Sequence, residues 1–176
     1  MKKRKKINIG FILNYRLDGW MGVTNYYLNL IDIINKQKKN KIRVNILTDH
    51  NITSQEVKKF KNFKVIKTNL LNRKSRFLKM FNLICILFFR KNFFLENFLI
   101  KKNIDIISHT TSLGKYSKIP SIKWFPDFQE ISFPKNFSLK QKIARRLSIL
   151  FSITNSTMII VSSKTVMKDL KLISMK

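Results

Sequence analysis

Six short apolar runs recur along this chain, and between them the apolar spacing changes from continuous to helical. Residues 7–13 (Ile-Asn-Ile-Gly-Phe-Ile-Leu), 42–47, 63–67, 104–107, 121–125 and 158–161 have the length and character of buried strands. After the first run comes a loop, 16–22, holding Gly19 and Gly22, two of the four glycines. From Val23, apolar residues recur at Tyr26, Tyr27, Leu30, Ile31 and Ile34, which predicts a helix that ends in the polar run 35–41 and is capped by Thr24 or the preceding glycines. Residues 54–61 read as a short helix, and 73–102 as one helix or two joined near 90–92. Ser138 starts a helix to about Asn155 with Leu139, Ile143, Leu147 and Leu150 on one face, and Ser162-Ser163 caps a last one. Strand, helix and strand alternate, with roughly 30 residues from the first strand to the second, and that order predicts a parallel sheet with crossover helices. The expectation is an α/β chain of one domain, 1–176, without internal repeats.

Composition narrows the function classes. Apolar residues make up 44% of the chain and include 15 Phe, so there is enough apolar surface to offset chain entropy and disorder is excluded for most of its length. Cys85 is the only cysteine, which rules out an internal disulfide and a cysteine-built zinc cage and favours a reducing, cytosolic setting. Against 36 Lys and Arg stand 9 Asp and Glu, a formal +27. That charge points to a polyanionic partner, nucleic acid or an anionic membrane surface. It also fits base composition, because Ile and Asn are abundant too and Ala144 is the only alanine. The basic start, residues 1–6, resembles a signal-peptide n-region, but Asn8 and Asn14 break the apolar stretch behind it, and it reads as a leader into a buried strand. The most apolar window, 80–89, is about half of the ~20 residues a spanning helix needs. Flanked by Arg73, Lys74, Arg76 and Lys79 before it and by Arg90 and Lys91 after, it fits either a helix lying in a membrane interface or a core helix with a basic outer side.

In open α/β sheets, ligands sit beyond the carboxyl ends of the strands, where helix N-termini offer unpaired N–H groups. Four segments fall there: 19–24, 108–112, 126–130 and 162–164. The first, with Gly19, Trp20, Gly22 and Thr24, lacks the G-x-G-x-x-G spacing of a dinucleotide fingerprint and the Gly-Lys-Ser/Thr of a P-loop. It reads either as a plain turn or as a loop whose bare backbone approaches a hydroxyl-rich or phosphate-bearing ligand. Asp127, after a buried strand and between Pro126 and Phe128, is suited to orient a sugar hydroxyl or act as a base, or else to cap a turn. His109 is a candidate substrate contact or a structural histidine. No metal-ligand cluster, H-E-x-x-H motif or nucleophile elbow occurs.

Taken together, three segments resemble the N-terminal half of a GT-B glycosyltransferase, the group that includes glycogen synthase-like and lipopolysaccharide sugar transferases. Residues 19–30 (Gly-Trp-Met-Gly-Val-Thr-Asn-Tyr-Tyr-Leu-Asn-Leu) are similar to the family's first loop and helix, with the two glycines separated instead of adjacent. Trp124-Phe125-Pro126-Asp127-Phe128-Gln129, followed by Phe133-Pro134 and Phe137-Ser138, resembles its Trp-x-x-Asp-Phe-Gln and Pro-x-x-Phe-Ser stretches, with Pro126 and Glu130 where members often carry His. Ile159 to Lys164, with Lys168-Asp169-Leu170, is similar to its Val-Ser-Ser-x…Lys-x-Asp-Leu ending.

The resemblance implies a Rossmann-like sheet with helices on both faces, forming one half of a GT-B architecture whose donor-binding domain is not in this sequence. It implies a catalytic or orienting Asp127, acceptor contacts from Gly19, Trp20, Gly22, Thr24, His109 and Glu130, and further contacts from Ser162, Ser163 and Lys164. No cofactor and no metal are expected, with a nucleotide-sugar as co-substrate and a glycan or lipid-linked acceptor. The work would be cytoplasmic, with the basic helix resting on the inner membrane. Two alternatives stay open: a non-catalytic basic module for an anionic membrane or nucleic acid, the latter without RNP, KH or helix-turn-helix signatures, and an acceptor subunit that recruits a separate donor-binding chain.

Overall fold

A computed structural model of the protein describes residues 6–13, 21–37, 41–53, 57–72, 75–109 and 112–175, with the backbone alone for Met21, Val23, Thr24 and Lys79. Strand β1 (Ile7–Leu13) runs parallel to β2 (Ile42–Thr48) on one side, Phe11 opposite Ile46, and to β4 (Ile106–His109) on the other, Phe11 opposite Ser108. With β3 (Lys64–Lys67), β5 (Ser121–Phe125) and β6 (Met158–Val161), the sheet has six parallel strands in the order β3-β2-β1-β4-β5-β6. This is the Rossmann-like order, in which the chain reverses its direction of winding between β1 and β4 and leaves a crevice at the carboxyl ends of those two strands.

The continuous apolar runs are explained by burial on both faces. Along β1, Ile12 joins Leu47, Ile107, Leu95 and Leu99, whereas Phe11 and Leu13 join Tyr27, Ile31, Ile46 and Trp124. Tyr27 and Ile31 come from α1 (Met21–Lys36), and Leu95 and Leu99 from α3 (Phe93–Lys101), so helices cover opposite sides. A third cluster packs Phe125 and Phe128 against Ile149 of α5 (Leu139–Asn155) and against Val166, Leu170 and Ile173 of α6 (Lys164–Met175). Two further α-helices among the described residues are α2 (Arg76–Phe89) and the short α4 (Gln129–Ser132), and the first residues of the helix expected over 54–61 lie outside the described ones. Among the described residues, no helix is long and apolar enough to cross a membrane.

One expectation is settled and two are adjusted. Of the two alternatives for 73–102, one helix or two, the described residues 75–102 form two helices joined at 90–92, because Arg90 takes a left-handed conformation (φ 53°) that ends α2, and the Asn92 side chain accepts from the Leu95 N–H to start α3. The fourth strand begins at Ile106 and ends at His109: Ile104 still bonds back to the Leu99 carbonyl, so the chain cannot pair there. On α5, Leu139, Ile143 and Leu147 face outward, and only from Ile149 does the helix meet the core. A capping box between Ser138 and Gln141 and a Glu130–Arg145 ion pair of 3.1 Å hold its free first half.

The α2–α3 corner is laced to the loop after β4. Glu96, 1% exposed, pairs with Lys91 at 2.8 Å and accepts from the Lys118 N–H at 2.8 Å. Burial alone would push its carboxyl up, but the Lys91 ammonium, the Ser117 hydroxyl and the Lys118 amide outweigh it and hold the pKa below the usual carboxylate value. Arg90 and Asn92 also exchange backbone hydrogen bonds with Tyr116 and Leu113. Between those partners lies Gly114 at φ +96°, where a Cβ would stand 2.3 Å from the Arg90 carbonyl oxygen. Gly114→Ala is expected to cost about 3 kcal/mol or more through strain and that clash. Gly22→Ala, in the first turn of α1 with open space around it, is expected to stabilise by about 0.5 kcal/mol. Urea unfolding of the two variants measures both, and equal effects would contradict this account of the corner.

Candidate functional site

His109 is the last residue of β4, and its φ of +82° is unusual for a side chain of its size. Strand alternation would send it to the face of Ile107. The positive φ turns it instead to the opposite face, where it meets Phe11, Tyr27, Tyr26 and Trp124 with ring centroids 5.3, 5.3, 5.8 and 5.7 Å away. Tyr26 of α1 stacks on Trp124 of β5 at 4.3 Å and an interplanar angle of 5°. An aromatic box drawn from four elements therefore closes over the crevice between β1 and β4.

Both ring nitrogens of His109 are engaged. Nδ1 lies 2.6 Å from the Ser108 hydroxyl and Nε2 3.3 Å from the Tyr26 hydroxyl. A neutral imidazole donates from one nitrogen and accepts at the other, and a hydroxyl can answer either role. The ring is 5% exposed, and burial pushes its pKa down to about 4. It is neutral near pH 7 and has no free nitrogen to act as a base, so the side chain braces the end of β4 against α1 and β5. Burial also pushes the Tyr26 phenol up.

One strand over, the second group of residues lines the β5–β6 edge. Asp127 is exposed, and its Oδ2 accepts from the Gln129 side-chain amide at 3.3 Å. The Ser162 hydroxyl donates to the Pro126 carbonyl oxygen, tying the end of β6 to that of β5. The Ser163 hydroxyl accepts from the Val166 N–H at 3.2 Å, which caps α6, and exposed Lys164 is the first residue of that helix. An exposed carboxylate, a cation and a helix N-terminus thus share one edge, an arrangement suited to hydroxyl and phosphate groups.

The expected site residues fare differently. Asp127, Ser162, Ser163 and Lys164 fall together, and His109 stands at the crevice behind them. Glu130 is turned away into its ion pair with Arg145. Gly22 is exposed within the first turn of α1, which starts two residues earlier than its spacing implied. Gly19 and Trp20 lie outside the described residues, as does the side chain of Thr24. Ser108, Tyr26 and Trp124 belong to the site as partners of His109. In the sequence, Tyr26 and Trp124 belong to a helix face, a strand and two of the resembling segments, and nothing in their spacing showed that they would meet at His109. Among the described residues, no three His, Cys, Asp or Glu side chains gather as a metal site would need.

Comparison of the chain with protein-family models, with curated proteins and with solved structures returned no match.

The depressed pKa of His109 makes stability depend on pH. In the unfolded chain the ring takes up a proton near pH 6.5, whereas in the fold it does so only near 4. Between those values the unfolded state binds more protons, so stability contributed by this group is present above pH 6.5 and is lost as pH falls towards 4, by about 3 kcal/mol. In His109→Asn, whose side chain tolerates positive φ, that dependence is absent. The stability gap between wild type and variant, from urea unfolding at pH 7 and pH 4, is therefore expected to shrink in acid, and a constant gap would contradict a buried neutral ring.

Proposed function

We propose that this chain is the acceptor-binding half of a glycosyltransferase, serving transfer of a sugar from a nucleotide-sugar to a glycan or lipid-linked acceptor in the synthesis of cell-envelope polysaccharide or lipopolysaccharide. The observation that carries this reading is the meeting of three sequence segments at one edge of the sheet. Tyr26, from the segment resembling the family's first loop and helix, stacks on Trp124, which opens the Trp-x-x-Asp-Phe-Gln segment. Pro126 in that second segment accepts from Ser162 of the third. Segments far apart in sequence, each resembling the same family, thus contact one another where α/β sheets bind ligands.

In this reading Asp127 orients an acceptor hydroxyl by accepting its hydrogen bond. Lys164 and the N–H groups opening α6 meet negative charge on acceptor or donor. His109 is a positioning residue: its ring, held among Phe11, Tyr26, Tyr27 and Trp124, fixes the end of β4. A donor-binding domain closing over this edge would exclude water and hold the two substrates in line, where most of the gain in rate from positioning arises.

Saturation-transfer NMR with a panel of neutral mono- and disaccharides tests the acceptor role apart from catalysis. At least one saccharide is expected to bind, with Asp127→Asn weakening it about tenfold, as loss of a charge-assisted hydrogen bond requires. Because Asp127 is exposed, the same substitution is expected to change folding stability by less than about 0.5 kcal/mol. Absence of saccharide binding, or binding indifferent to Asp127→Asn, would remove this edge as an acceptor site.

A further inference from the structure

Helix α2 is apolar on two sides and buried on one. Leu78, Phe81, Cys85 and Ile86 form its inner face, with Cys85 and Ile86 buried. Around the opposite side, Phe77, Met80, Leu83, Ile84, Leu87 and Phe88 are all exposed, Phe88 to 79%. Phe89, Phe93 and Phe94 carry the surface over the corner into α3, and ring contacts at 5.4 Å (Phe81–Phe94) and 5.6 Å (Phe89–Phe93) join the two helices. A helix packed on a sheet normally turns a polar side to water. An apolar surface on the order of several hundred Å² is the size that marks an interaction site.

Charge selects the occupant. Residues 73–102 hold eight Lys and Arg and one acid, Glu96, and that carboxylate is buried against Lys91. Arg76, Arg90, Lys101 and Lys102 are exposed around the apolar face, and no carboxylate of the segment faces outward with them. A second copy docked by two-fold symmetry would set these cations against their own kind. Single-stranded nucleic acid would satisfy the cations and could stack on the rings, but it would leave the aliphatic Met80, Leu83, Ile84 and Leu87 in water. An anionic bilayer answers both, rings at the acyl boundary and cations among lipid phosphates. At 14 residues α2 is roughly 21 Å long, which suits it to lie in the interface rather than cross it. We infer that α2 and the start of α3 form a monotopic surface that seats the protein on an anionic membrane.

Co-sedimentation of the full chain with phosphatidylcholine vesicles, alone or with about a third phosphatidylglycerol, tests this. Strong binding is expected only to the anionic vesicles. The triple variant Phe77→Gln, Leu87→Gln, Phe88→Gln is expected to bind at least about tenfold more weakly, with an unchanged circular dichroism spectrum. Phe88→Gln alone, at the most exposed of these positions, is expected to weaken binding about threefold, and it keeps the test decisive should the triple variant fail to fold. Three results would overturn the inference: no vesicle binding, binding indifferent to these substitutions and abolished by salt alone, or a dimer in sedimentation equilibrium that the substitutions dissolve.

Discussion

The pairing of β1 with β4 is the contact on which the rest of the molecule depends. Ile9, Gly10 and Phe11 register with Ile106, Ile107 and Ser108, joining two parts of the chain that wind in opposite directions. Because β1 already holds β2 on its other edge, the chain leaving β3 must cross to the far side of β1 to form β4. That crossing takes α2 and α3, and it puts Leu95 and Leu99 on the face opposite α1. The same reversal opens the crevice beyond β1 and β4 into which His109 turns. Core, crossover and candidate site are therefore consequences of one ladder.

At the end of that ladder, packing and backbone strain compete. A non-glycine residue at positive φ costs roughly 1–3 kcal/mol. The four ring neighbours of His109, at roughly half a kcal/mol or more each, are of a size to offset that cost, and the contacts to Ser108 and Tyr26 add to them. The balance holds while the ring is neutral, since burial penalises only the charged form. The end of β4 is thus set by packing within the protein, before any ligand arrives.

Much of this was legible in the sequence because parallel strands buried on both faces leave a plain mark. The runs 7–13, 121–125 and 158–161 match β1, β5 and β6 end to end, and Ser138 and Ser163 cap the helices they precede. Two kinds of feature were not legible. The turn of His109 to the face of Phe11 depends on a single dihedral angle, which no periodicity records. Periodicity shows that a helix has an apolar side but not whether the core reaches it: Leu139, Ile143 and Leu147 have the spacing of a buried face, yet stand outside because the sheet meets α5 only from Ile149. Similarly, residues 80–89 read as a core helix or an interface helix, and only the structure shows which side the core takes, with Cys85 and Ile86 inside and Leu87 and Phe88 exposed. Within the site, Asp127 was legible from its place after a strand, whereas its neighbour Ser162 became one only through the β5–β6 pairing.

The topology also relates the apolar surface to the crevice. Helix α3 must run antiparallel to the strands to deliver the chain to the start of β4, and its C-terminal end is fixed there: Ile104 bonds to the Leu99 carbonyl, and Asp105 exchanges hydrogen bonds with Asn8 at the start of β1. The N-terminal end of α3, with Phe93 and Phe94, therefore stands towards the carboxyl ends of the strands, the end that carries His109 and Asp127. The Arg90–Asn92 corner, fixed by Glu96 and by the loop around Gly114, holds α2 beside it. A bilayer meeting this corner would lie at the same end of the molecule as the crevice. The two proposals rest on separate observations, and the path of α3 makes them geometrically compatible.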